Sequence, residues 1–160
     1  MYASMKDMLW HAHENHYAVM AINVVNMEQV KACIESAEEE ASAVILNISP
    51  RQMKAHAYPH IMAPMIKNLA ETVRVPVALN IDHGVNMEDI ETAIHCGYSS
   101  VMVDASSYEL EENIRRVRAV AALAHDRGIS VEAELGHVGV AANADGQNAD
   151  YYTNVEADGV

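Results

Sequence analysis

The sequence predicts an α/β fold: a parallel sheet closing as a (β/α)8 (TIM) barrel, of which about the first five strands and four helices, preceded by an N-terminal helix, are present. Three observations predict it. Near-continuous apolar runs alternate with stretches of helical spacing, as expected for strands covered by crossover helices. Each run closes on polar residues: Asn23, Ser49, Asp82 with His83, Asp104 and Glu134. A barrel brings all those strand ends to one face, whereas a doubly wound sheet uses mainly one crevice, so polar ends on every strand favour the barrel.

The elements follow in order. Residues 4–15 have amphipathic spacing, with Met5, Met8, Leu9 and Ala12 on one side, and predict a short helix. Its His11, His13 and His16 have no acidic third ligand nearby and read as surface histidines near a helix end. Residues 17–24 give the first strand, and 27–40 the helix behind it through Val30, Ile34 and Ala37. Residues 43–48, closed by Ser49-Pro50, are the second strand, followed by a helix over 61–72. The third strand is 75–82, after which Asn86 is an N-cap and Gly97 a stop for the third helix. A short fourth strand at 100–104, a long helix at 110–127 and a fifth strand at 130–135 complete the alternation. Beyond Gly139 the small, polar stretch 142–150 reads as a loop at the mouth of the site.

Composition narrows the function. The 160 residues are 51% hydrophobic, which predicts a single globular domain over 1–160, an incomplete barrel because a whole one takes about 250 residues. A formal net charge of −13 disfavours nucleic acid and anionic membrane as partners. No stretch resembles a signal peptide or spans a bilayer, so a cytoplasmic protein is expected. Cys33 and Cys96 lie on helical segments without C-x-x-C spacing and read as buried thiols.

The strand ends carry the chemistry. At Asp82-His83 a neutral imidazole can hold a divalent metal while the adjacent carboxylate moves protons on a bound substrate. The alternative is a helix-capping Asp beside a surface His. Glu132 and Glu134 share one face of the fifth strand. Ionised and unpaired inside a barrel, they would cost on the order of several kcal/mol, so they need cations or polar partners unless that strand is a wet edge. Asp104 ends the fourth strand in the same way. Alone it reads as a turn residue; with Asp82, His83 and Glu134 on neighbouring ends, a shared metal and proton-transfer site is the simpler account. The sequence has neither a Gly-rich phosphate loop nor a G-x-S-x-G elbow.

Ser4-Met5-Lys6 with Met8-Leu9, Tyr17-Ala18-Val19, Ala21-Ile22-Asn23-Val24, Ile48-Ser49-Pro50 and Asp82-His83-Gly84 form a collinear series. It continues through Ser100-Val101-Met102-Val103-Asp104-Ala105-Ser106, Glu111-Glu112-Asn113-Ile114, Val131-Glu132-Ala133-Glu134-Leu135-Gly136 and Val138-Gly139. In this order and spacing the chain resembles the N-terminal part of the class II, zinc-dependent ketose-bisphosphate aldolases acting on fructose or tagatose bisphosphate. The resemblance implies a (β/α)8 barrel with His83 as one of three histidine ligands of catalytic zinc, and Asp82 as the proton donor and acceptor. Asp104 and Glu134 match positions that bind a second divalent metal or a monovalent cation, or that support the first ion. Asn23 and Ser49 are read as substrate-binding, with Asn80 and Glu132 in support.

In that family zinc polarises the carbonyl of a ketose or of dihydroxyacetone phosphate as a carbon–carbon bond is broken or made. The implied partner is a small sugar phosphate, and open strand edges imply a homo-oligomer. Three departures point to a divergent sugar aldolase. Asn80 stands where the family often has His, Val140 where it often has a second Gly, and Ala141-Ala142-Asn143 where it usually has an acidic pair. The other two zinc histidines belong to later strands of the family, so the isolated chain is expected to be weak or inactive. A half-barrel scaffold that oligomerises and a metal-dependent sugar isomerase or epimerase are the alternative readings.

Overall fold

A computed structural model of the chain describes residues 1–136. Helix α1 (Met5–Glu14) leads into β1 (Met20–Asn23), α2 (Met27–Glu39) and β2 (Val44–Ile48). Then come α3 (Pro50–Ala55), α4 (Pro59–Ala70), β3 (Val77–Gly84), α5 (Met87–Cys96), β4 (Ser100–Val103), α6 (Leu110–Ala124), a short 3-10 turn at His125–Arg127 and β5 (Ser130–Ala133). The five strands form one sheet in the order β1-β2-β3-β4-β5, every neighbouring pair parallel. Sequential parallel order, with a helix in each crossover, is the strand arrangement of a (β/α)8 barrel.

The sheet has two unlike faces. On one, Leu46, Leu79, Ile81 and Val101 are fully buried against Val30, Ile34, Ile66, Ile90 and Val120 from the helices. On the other, a smaller cluster joins Met5 and Met8 of α1 to Ile45 and Ala78. Helix α1 is held beneath this second face, the barrel's lumen side, by β5: Ser4 and Ser130 hydroxyls lie 2.6 Å apart, and Lys6 N–H donates to Ser130 Oγ at 2.9 Å. Register aligns Asn23, Asn47, Asn80, Ser100 and Ser130 at one level of the sheet. Polar side chains thus line the lumen above an apolar plug, and the strand ends lie above them.

The structure adds to the expected elements at several points. Helix α3 was not expected; Ser49 and Gln52 form a reciprocal capping box around Pro50, enough to start a helix directly after β2. Strand β1 starts at Met20 rather than 17, because Tyr17 N–H bonds back to Ala12 O and still belongs to the exit from α1. Helix α6 tightens to a 3-10 turn after Ala124, and β5 stops at Ala133, leaving Glu134 just past its end. Cys33 and Cys96 are free but only half-buried. Among the described residues no helix is long and apolar enough to cross a membrane. The segment 138–150, including Val140 and the expected mouth loop, lies outside the described residues.

The burial contrast gives the first test. Leu46→Ala, in the fully enclosed centre of β2, is expected to lower unfolding free energy by about 2–5 kcal/mol in urea titrations. Met20→Ala, on the exposed edge strand, is expected to change it by less than about 0.5 kcal/mol.

Candidate metal centre

The centre is built by one extra residue in β3. Ile81 pairs with Val101, but the next pair is Gly84 with Val103, so three steps along β3 match two along β4. In an unbroken strand Asp82 and His83 would face opposite sides of the sheet. The irregularity breaks that alternation, with His83 in the left-handed region at φ 56°. This conformation costs a non-glycine residue about 1–3 kcal/mol and persists only where the surroundings enforce it. Enforcement comes from the next residue: a Cβ on Gly84 would lie 2.5 Å from Met102 O and 2.8 Å from Ile90 Cγ1. Glycine therefore lets β3 return against β4, where Asp104 N–H donates to Gly84 O at 3.0 Å.

The strand ends then converge. His83 Nδ1 lies 2.9 Å from Asp104 Oδ2 and 3.4 Å from Glu134 Oε2, while Nε2 is 3.9 Å from Asp82 Oδ1. Ligand atoms of His83, Asp104 and Glu134 all fall within 4.8 Å of one another. Asp104 spends its other oxygen on Ser106, accepting from the hydroxyl at 2.7 Å and from the backbone N–H at 3.2 Å. Partial burial pushes the Asp104 carboxyl up, but the bonds from Ser106 and His83 outweigh it and hold its pKa below the usual range. For His83 burial pulls down, yet the Asp104 hydrogen bond and the charges of Asp82, Asp104 and Glu134 win, and its pKa is raised. An imidazole beside three carboxylates is a position that favours positive charge. One nitrogen and two oxygen donors on a half-exposed imidazole and sheltered carboxylates suit a divalent ion.

The remaining expected residues divide into two groups. Asn23 reaches the site, its Nδ2 donating to Asp82 Oδ2 at 3.1 Å. Ser49 lies at the end of β2, where its side chain caps α3. Asn80 and Glu132 lie one level down in the lumen, where Asn80 Nδ2 donates to Glu132 Oε2 at 3.0 Å and to Asn47 Oδ1 at 3.3 Å. Burial raises the Glu132 pKa against that hydrogen bond, and the Asp82 charge adds to the rise. Among the described residues Asn80 Oδ1 is buried without a partner, which costs about 1–3 kcal/mol. A concave space of about 1110 Å3 opens beside this polar level, between α1 and the lumen faces of β1, β2 and β5. His11, His13 and His16 stay outside the centre; His11 bonds the Tyr17 hydroxyl at 2.7 Å.

Sequence reasoning gave no role to Asn47, Ser106 or Asn113. Ser106 carries a readable signal, since Asp-x-Ser is a common side-chain-to-backbone turn. Asn113, buried in α6, donates to the backbone O of Glu134 at 2.8 Å and so fixes the segment beyond β5. A polar residue on the inner side of an amphipathic helix was its only trace.

A family model described as fructose-bisphosphate aldolase class-II matches residues 3–158. The fructose-bisphosphate aldolase of Geobacillus stearothermophilus is 44% identical over 138 residues, covering 85% of this chain and 48% of that protein. The Staphylococcus epidermidis fructose-bisphosphate aldolase is 42% identical over 159 residues, covering 98% and 52%. Among solved structures, the YdjI aldolase from Escherichia coli K12 matches with a TM-score of 0.78 at 34% identity, over 83% of this chain and 50% of that one. Fructose-bisphosphate aldolase from Campylobacter jejuni matches with a TM-score of 0.78 at 25% identity, over 86% and 48%. The chain thus spans about half the length of the relatives it matches.

Two outcomes follow from the geometry. Gly84→Ala is expected to destabilise the fold by about 1–3 kcal/mol, since the new methyl meets backbone as well as Ile90; thermal and urea unfolding check this. In the metal-free protein the raised His83 pKa makes its stabilisation full below its ordinary value of about 6.5 and lost as pH rises through the higher folded value. His83→Gln should therefore lower the urea midpoint more at about pH 5.5 than at about pH 8.5.

Proposed function

The chain belongs to the class II fructose-bisphosphate aldolase family, and from that premise we propose that it supplies the strand-end acid and part of the metal centre of a zinc-dependent aldolase. The observation that carries this reading is the convergence of His83, Asp104 and Glu134 within 4.8 Å, with Asp82 beside them. The substrate class is a ketose phosphate or bisphosphate, cleaved to dihydroxyacetone phosphate and an aldehyde. A divalent ion held by His83, with Asp104 and Glu134 as alternative or supporting ligands, would supply Lewis-acid polarisation of the ketose carbonyl.

The chain's own residues handle the proton. Asp82 takes the proton from the hydroxyl beyond the scissile bond, whose oxygen becomes the aldehyde, and the electrons of the breaking carbon–carbon bond pass to the carbonyl fragment, which takes up a solvent proton at that carbon to leave as dihydroxyacetone phosphate. In condensation Asp82 returns that proton to the aldehyde oxygen. Asn23 anchors Asp82 Oδ2 and so orients the carboxylate; Asn23 and Ser49, at the ends of β1 and β2, are assigned to bonding substrate hydroxyls. Asn80 and Glu132 support the site from below. We read residues 1–160 as one domain of a cytoplasmic enzyme of sugar metabolism that works as a homo-oligomer. The exposed Met20 on the open β1 edge supports an oligomer, since it leaves a large apolar group beside unpaired strand backbone.

A chimera tests the reading, with this chain replacing the matching half of the Staphylococcus epidermidis relative. With zinc it is expected to cleave fructose 1,6-bisphosphate, and Asp82→Asn is expected to slow it by about 100- to 10000-fold. A chimera that folds but is inactive, or whose rate is indifferent to Asp82→Asn, contradicts the proposal. The 160-residue polypeptide alone is expected at background, because its described residues bring one histidine to the cluster where the resemblance implies three. Ordinary turnover by that polypeptide would overturn this expectation.

A further inference from the structure

We propose that Asn80 is a positioning residue for the metal centre: its amide ties β2, β3 and β5 together across the lumen and so sets the sheet curvature that gathers the ligands above it. This inference rests on the proposed reading of His83, Asp104 and Glu134 as a metal centre. Strand β4 lies between β3 and β5, yet Asn80 Nδ2 on β3 is only 3.0 Å from Glu132 Oε2 on β5. Neighbouring strands are about 4.8 Å apart, so in a flat sheet β3 and β5 would be separated by about twice that. The bond therefore belongs to a concave sheet whose side chains lean together over β4. The same amide donates to Asn47 on β2, so a single group draws in three strands.

Two residues further along β3 and along the chain after β5 stand Asp82 and Glu134, both beside His83. Any flattening at the level of Asn80 thus opens the ligand set directly above it. Among the described residues Asn80 Oδ1 is buried without a partner, so the bonds this side chain makes are those of its amide nitrogen, and an apolar side chain there would leave Asn47 Oδ1 and Glu132 Oε2 without that donor. What the amide provides is its pair of donors, and both are used.

Cobalt(II) titration of the 160-residue chain, followed by its visible absorption bands, tests this with a probe that reports ligand geometry as well as affinity. Asn80→Ala and the isosteric Asn80→Asp, which sets a carboxylate against Glu132, are expected to weaken binding by about 10- to 100-fold and to shift the bands, although no ligand is removed. Asn80→His, with a ring N–H to offer Glu132, is expected to recover most of the affinity. Wild-type affinity and spectrum in Asn80→Asp, while His83→Ala abolishes binding, would overturn the inference and leave the metal centre standing. Wild-type binding in both His83→Ala and Asp104→Asn would overturn the metal centre and the inference with it. Should Asn80→Ala not fold, the volume-preserving Asn80→Asp carries the test.

Discussion

The centre depends on one extra residue between Ile81 and Gly84. Strict alternation would point Asp82 and His83 to opposite sides of β3, and neither could then complete a site with the other. The irregularity places His83 in a left-handed conformation, and Gly84 lets the strand rejoin β4 at once, because no larger residue fits between Met102 O and Ile90. Local strain at a single histidine is thus offset by the packing of β3, β4 and α5 around it. That packing is dense: Ile81, Ile90, Val101 and Val103 are all buried beside the irregularity.

Charge is handled by the same construction. Three carboxylates near one imidazole would repel one another, and the helices cover the far face of the sheet with apolar side chains that offer no compensation. Compensation is local. Ser106 takes one oxygen of Asp104 and Asn23 one of Asp82, and a level below them Asn80 takes one of Glu132, each through neutral donors. Positive charge is then wanted at one place, between His83, Asp104 and Glu134. The donors around the carboxylates come from β1, β3 and the loop after β4, so the polar support is distributed over the sheet in the same way as the ligands.

Much of this was legible in the sequence because barrel strands obey a simple grammar of apolar run followed by polar end. Asp82, His83, Asp104 and Glu134 were named from that grammar and from the family resemblance, and the structure brings them together. The departures have physical causes. Helix α3 was overlooked because six residues, Pro50–Ala55, are too few for a helical period, although the Ser49–Gln52 capping box was written in the sequence. The irregularity in β3 leaves almost no composition signal, since the left-handed residue within it is a histidine rather than a glycine. The bond from Asn80 to Glu132 spans an intervening strand, a long-range pairing that spacing along the chain does not encode.

Anomalous diffraction at the zinc edge, from crystals of this chain grown with zinc, tests the central claim most directly. The account predicts a peak at coordination distance from a His83 ring nitrogen and from at least one carboxylate oxygen of Asp104 or Glu134, with His83 still left-handed. Zinc bound only at the α1 histidines, or a His83 turned away from Asp104 in a regular β3 strand, would contradict it.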